Sequence, residues 1–131
     1  MIEDVAGNYK LNAKHIFSLS WSSGGPAGYA CSLTNKKLTG AFIAMSVFKP
    51  GNLPPLENAK GHAYYIYHSP QDRICPVRMA EQAVKELEKN GAKVKMVTYE
   101  GDHGWREAVF DDINAGIEWL EENHAVEPGK Q

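Results

Sequence analysis

The stretch FSLSWSSGGPAGYACSL, residues 17–33, begins as a short apolar run and ends as a small-residue helix, with two serines and two glycines crowded between. A chain that turns sharply from strand to helix around a serine needs small residues two before and two after it, because the backbone at the turn is forced into a strained conformation. Ser20 and Gly24 occupy those positions around Ser22. The pattern Ser-Trp-Ser-Ser-Gly is therefore a nucleophile turn of the GxSxG type with its first glycine replaced by serine. The N–H of Ser23, opening the helix, then points toward any anion held near Ser22, as an oxyanion donor must. Two other readings compete for these residues. One is a glycine-rich helix entrance that merely packs tightly, since serine and glycine are common at turns. The other is a dinucleotide loop, for which the required GxGxxG spacing is absent.

Outward from this turn, short apolar runs alternate with helical spacing. His15 to Ser20 reads as a strand, and about Ser23 to Leu33 as a helix with Pro26 in its first turn, where a missing N–H is tolerated. GAFIAMSVF (Gly40 to Phe48) is continuously apolar, as a strand covered on both faces would be. The proline-punctuated segment after it is loop. HAYYIYH (His62 to His68) is a further strand. Val77, Ala80, Ala83, Val84 and Leu87 recur at helical spacing up to the stop signal Asn90-Gly91. KVKMVTYE (Lys93 to Glu100) alternates like a strand with one wetter face, and Ala108, Val109, Ile113, Ile117 and Leu120 mark a last amphipathic helix. Ile2 to Tyr9 is a weaker helical segment, and the tail EPGKQ is expected to fray. Strands joined through helices are parallel and layered with helices on both faces. The expected fold class is thus α/β, a mostly parallel sheet of about four strands flanked by helices, in one domain over residues 1–131.

A serine hydroxyl needs a base, and the base needs an acidic orienter; behind a nucleophile turn these follow in the order Ser, Asp, His. Asp72 lies in HSPQDRICP just after one strand, and His103 lies in YEGDHGW just after the next. Both fall at strand C-terminal ends, the edge of a parallel sheet where ligands bind. Singly, Asp72 reads equally as a turn former or helix cap and His103 as a solvated loop residue. The joint order and placement favour a nucleophile, base and acid. Trp21 and Trp105, beside Ser22 and His103, are candidate apolar walls for a substrate or else core packing. His62 and His68 bracket a strand and are expected to face opposite sides or solvent. Asp102 is expected to point away from the site, and Cys75 to pack in the core.

Composition narrows the partners. A net charge of −2 with Lys and Arg scattered gives no footprint for nucleic acid or anionic lipid. The two cysteines, Cys31 and Cys75, form no CxxC or Cys/His ligand pattern, and no His, Cys and carboxylate set stands at metal-ligand spacing, so neither a metal nor another cofactor is expected. MIEDVAGNYK lacks the basic start and apolar run of a signal peptide, and no stretch approaches membrane-spanning length. The expectation is a soluble, cytoplasmic protein with free thiols, acting on a small molecule.

The segments LSWSSGGPAGYACSL and IYHSPQDRICPVRMAEQAVKELEKNGAKVKMVTYEGDHGW, with the final helix, resemble the phospholipase/carboxylesterase branch of the α/β-hydrolases, close also to its dienelactone hydrolase-like and prolyl-oligopeptidase-like branches. The resemblance spans most of residues 12–123. It implies Ser22 as nucleophile, Asp72 as orienter, His103 as base, and cofactor-free hydrolysis of carboxylic esters or thioesters. It also implies that these residues form the C-terminal half of the fold, because in the family the nucleophile turn follows several strands and an HGG-type loop that supplies a second oxyanion donor. Nothing before Ser22 resembles that loop, so Ser23 is the one donor assigned; losing one donor typically costs about 10²–10³ in rate. A non-catalytic remnant, serving as an interaction module or half of a split enzyme, is the alternative. The strand at residues 15–20, central in the family, becomes an edge that something must cover: a second copy across a two-fold axis, a separate N-terminal half, or further chain. Of these the symmetric dimer is the economical expectation, and a well-folded monomer in sedimentation at micromolar concentration would remove it.

Overall fold

The computed structural model describes residues 16–105 and 108–124; the expected helix at Ile2–Tyr9, the start of the first strand at His15 and the tail EPGKQ lie outside them. The elements run in the anticipated order. Strand β1 (Ser18–Trp21) leads through a 3-10 turn (Ser22–Gly24) into helix α1 (Gly25–Thr34), which is followed by β2 (Gly40–Ala44). Two 3-10 turns, Pro50–Asn52 and Leu56–Ala59, precede β3 (Ala63–His68), helix α2 (Val77–Lys89), β4 (Lys93–Thr98) and helix α3 (Val109–Asn123). All pairings are parallel and the strand order is β1-β2-β3-β4, with Ser18 opposite Ala41, Gly40 opposite Ala63, and Ala63 opposite Lys93.

Side-chain alternation sorts the sheet into two apolar layers. Ala41 and Ile43 of β2 and Tyr64 and Ile66 of β3 pack with Tyr29 and Leu33 of α1 and with Ala80, Ala83 and Leu87 of α2. Phe42, Ala44, Tyr65 and Tyr67 face the other way, against Leu120 of α3 and the half-buried Trp105 and Trp119. Every residue of β2 and β3 is buried, which is why GAFIA and AYYIYH read as unbroken apolar runs. In β1 and β4 burial alternates, consistent with their places at the two edges of the sheet among the described residues. Leu19 and Trp21 of β1 are exposed.

Strand β3 starts at Ala63 rather than His62 and β4 stops at Thr98 rather than Glu100, and three further boundaries differ from the sequence expectation for a local reason. Trp21 belongs to β1, so the strand ends one residue later and the chain turns directly at Ser22. The helix proper starts at Gly25, after a tighter 3-10 turn, rather than at Ser23. Strand β2 stops at Ala44 because Met45 takes a left-handed φ of 41°, its N–H donating to the carbonyl of Tyr67 at 2.8 Å. Phe48, expected within that strand, is buried instead against Tyr29, ring centroids 5.2 Å apart. The apolar run to Phe48 recorded burial, not strand length.

The substitution of serine for the first glycine of the turn is accommodated one helical turn beyond it. A Cβ at position 28 would lie 2.2 Å from Ser20 Oγ and 3.0 Å from Ile43 Cδ1, so α1 approaches β1 this closely only because residue 28 is glycine. Gly28→Ala is expected to lower stability by about 1–3 kcal/mol through overpacking. Ser20→Gly in the same chain should restore a large part of that loss, because the clash is with the serine side chain. Equilibrium urea unfolding of the two single variants and the double variant measures this coupling; simple additivity would refute the steric account.

Candidate active site

Parallel strands release their loops at one end, and the ends of β1, β3 and β4 carry Ser22, Asp72 and His103 respectively. Ser22 has a φ of 49°, in the left-handed region that costs a non-glycine residue about 1–3 kcal/mol unless its surroundings hold it there. Two donors hold its carbonyl: the N–H of Gly25 and the hydroxyl of Ser46, the latter at 2.6 Å. Ser46 is buried at the end of β2, so the neighbouring strand clamps the turn. This orientation lifts the Ser22 hydroxyl to 2.8 Å from His103 Nε2.

His103 Nδ1 lies 2.8 Å from Asp72 Oδ2. An ionised carboxylate only accepts, so Nδ1 carries the proton, and Nε2 is left with a lone pair for the Ser22 hydroxyl. Asp72 is buried, and its other oxygen, Oδ1, accepts the N–H groups of Ile74 at 2.8 Å and Cys75 at 2.7 Å. Burial by itself pushes this carboxyl up. The N–H of Cys75, the His103 ring and the N–H of Ile74 outweigh it, and hold Asp72 below the usual carboxylate range. His68 approaches from below, Nε2 at 3.6 Å from Asp72 Oδ2 and at 2.7 Å from the carbonyl of Cys75.

The structure thus brings Ser22, Asp72 and His103 into one continuous hydrogen-bonded line. Ser23 is the second residue of the 3-10 turn and is exposed. Trp21 is half exposed and meets Trp105 edge to face, centroids 6.3 Å apart at 72°. Trp105 stacks in turn on Tyr67 at 5.7 Å, so it also belongs to the α3-side layer. The expectation that His62 and His68 face opposite sides or solvent is corrected: His68 is fully buried behind Asp72. Six residues apart on a period-two strand, the two positions share a face, and that parity was the overlooked signal. Ser46 gave no local signal, because its partner is the carbonyl of Ser22, in the turn after β1 and remote in sequence.

Asp72, Cys75 and His103 each offer a donor atom within 4.8 Å of one another, a grouping that their sequence spacing did not suggest. Such a trio has the chemistry of a zinc-type ligand set. Two of its donors are already hydrogen-bonded together at 2.8 Å, and burial, then the charge of Asp72, push the Cys75 thiol up toward its protonated form. A cation would enter only by breaking the bond between Asp72 and His103.

The chain matches no protein-family model and no curated protein. Solved structures do resemble it. The Bacillus cereus carboxylesterase superposes with a TM-score of 0.74 at 21% identity, over 93% of this chain and 56% of that one. SOBER1 of Arabidopsis thaliana gives 0.69 at 22%, over 92% and 60%. MGS-M1, an alpha/beta hydrolase enzyme from a Medee basin deep-sea metagenome library, gives 0.75 at 16%, over 92% and 59%. The four parallel strands and their helices therefore have the α/β-hydrolase fold. The chain spans between 56% and 60% of the length of these three proteins. Among the described residues, no helix is long and apolar enough to cross a membrane.

Because Asp72 is held below its ordinary range, the fold favours its ionised form. That stabilisation is present above the unfolded carboxylate value of about 3.9 and disappears as pH falls through the native one. Asp72→Asn should therefore be less stable than the wild type at pH 7, with the gap narrowing below about pH 4. Thermal unfolding across that range tests the sign, and a gap independent of pH would contradict it.

Proposed function

We propose that this chain carries the nucleophile, base and acid of a serine hydrolase acting on small carboxylic esters or thioesters. The observation that carries the reading is the line from Ser22 Oγ to His103 Nε2, 2.8 Å, and from His103 Nδ1 to Asp72 Oδ2, 2.8 Å. These separations lie within the reach a nucleophile and its oriented base require. In this reading Ser22 Oγ attacks the acyl carbon while its proton passes to His103 Nε2. Asp72 holds the ring tautomer and stabilises the imidazolium. The imidazolium then protonates the departing alcohol or thiol, leaving an acyl-serine. Water, deprotonated by His103, attacks that ester, and the proton returns to Ser22 as the carboxylic acid leaves.

The N–H of Ser23 supplies one oxyanion donor at the start of the turn, where helix N–H groups have no partner within the helix. Trp21 and Trp105 form an apolar wall beside the nucleophile, the exposed face of Trp21 being available to an acyl or alcohol group. The alternative, a non-catalytic module or half of a split enzyme, draws on one fact: the chain spans only 56–60% of the three hydrolase-fold proteins it resembles. We keep it as the reading that the following measurement would leave standing.

Hydrolysis of a p-nitrophenyl ester series by the purified chain should show turnover that Ser22→Ala lowers by at least ~10³-fold. His103→Ala should cost a similar factor, and the Ser22→Ala/His103→Ala double variant little more than either single one, since the groups act as a unit. Folded wild-type protein without Ser22-dependent turnover would overturn the hydrolase reading.

A further inference from the structure

The base of the site sits on the loop that follows β4, between two glycines. His103 sits between Gly101, φ 125°, and Gly104, φ 141°, two conformations that side-chain-bearing residues rarely adopt. The loop after β3, which carries the acid, is a separate segment. Contacts between these two loops bear directly on the placement of His103 against Asp72.

Those contacts converge on one carboxylate. Asp102 Oδ1 accepts the backbone N–H of Arg73 at 3.0 Å and the backbone N–H of His103 at 2.8 Å. Arg73 follows Asp72 directly, so a single oxygen atom joins the residue beside the acid to the base itself. Asp102 Oδ2 receives the Arg73 guanidinium through both Nε and Nη2, two charge-assisted contacts that share one oxygen. Two further bonds lie alongside: Ser69 donates its hydroxyl to the carbonyl of Gly101, and the N–H of Gly101 donates to Gln71 Oε1 at 3.2 Å. The N–H of Arg73 foremost, then its guanidinium and the N–H of His103, hold the Asp102 carboxyl down at about 2, so it is charged at neutral pH. The Arg73 side chain is 85% exposed and that of Asp102 36%, an exposure at which an ion pair adds little to global stability.

We propose that Asp102 is a positioning residue: its carboxylate straps the acid loop to the base loop and so sets the distance from His103 to Asp72 and to Ser22. It touches neither substrate nor reacting atoms, and the inference rests on the serine hydrolase reading above for its functional meaning. Asn at 102 keeps an oxygen in the place that accepts both backbone N–H groups, whereas Ala keeps none. The conservative and the radical variants should therefore separate.

For Asp102→Ala, kcat on a p-nitrophenyl ester is expected to fall ~10–100-fold with KM little changed, as displacement of a catalytic group by a fraction of an ångström to about one ångström would produce. Asp102→Asn should recover most of that loss, and the unfolding midpoints of both should stay close to the wild type. Proton NMR gives a readout independent of turnover. The low-field resonance of His103 Nδ1–H, hydrogen-bonded to Asp72, should persist in wild type and Asp102→Asn and broaden away in Asp102→Ala. Asp102→Leu, of similar reach and without an acceptor, serves in its place if the alanine chain does not fold. Wild-type kcat and an intact resonance in the alanine or leucine variant would overturn the proposal, as would equal impairment in the asparagine variant. A resonance that behaves as expected in a wild-type chain that hydrolyses nothing upholds the strap and counts against the hydrolase reading alone.

Discussion

Parallel strands deliver all their forward loops to the same end of the sheet, and everything at this site depends on that constraint. Ser22, Asp72 and His103 are separated by 50 and 31 positions in the chain, yet each is the product of a strand ending at the same rim. No single loop needs to fold back to find the others. The buried central strands β2 and β3 hold the spacing between those ends, because each strand is hydrogen-bonded to neighbours and covered on both faces. What remains for the loops is the last ångström of adjustment.

That adjustment is made by polar contacts of unequal kinds. Ser22 is forced into a left-handed backbone and kept there by Gly25 and Ser46, a strain that aims the hydroxyl at the imidazole. Asp72 is buried yet kept ionised, because two backbone N–H groups and the His103 ring offset the loss of water around its charge. His103 is held through its ring by Asp72 and through its backbone N–H by Asp102, which also accepts the N–H of Arg73. Enclosed by Ile74, Cys75 and His68, this carboxylate is fixed in orientation and protonates only at lower pH than an ordinary one.

Most of the architecture was legible because it follows from periodicity and punctuation. The continuous apolar run Gly40–Phe48 announced a covered strand, the β-rich run His62–His68 a second strand, and the spacing of Ala80, Ala83 and Leu87 announced α2 with its observed ends. The order Ser22, Asp72, His103 was readable because each residue follows a strand. Features that depend on pairs remote in sequence were not readable. Ser46 matters through the carbonyl of Ser22, Asp102 through the backbone of Arg73, and Gly28 through the side chain of Ser20. None of these residues is unusual in its local window. His68 was misplaced for another reason: its parity along β3 was available, but its partner on the following loop was not.

On the proposed function, folding makes Ser22 uniquely nucleophilic by setting it against His103 and Asp72. Peptide-mapped mass spectrometry after brief exposure to a fluorophosphonate tests it most directly. One adduct is expected, on Ser22 and not on Ser20, Ser23 or Ser46, formed by the folded chain and absent when the chain is unfolded in urea before exposure. An adduct on another serine, or none in folded protein, would contradict it.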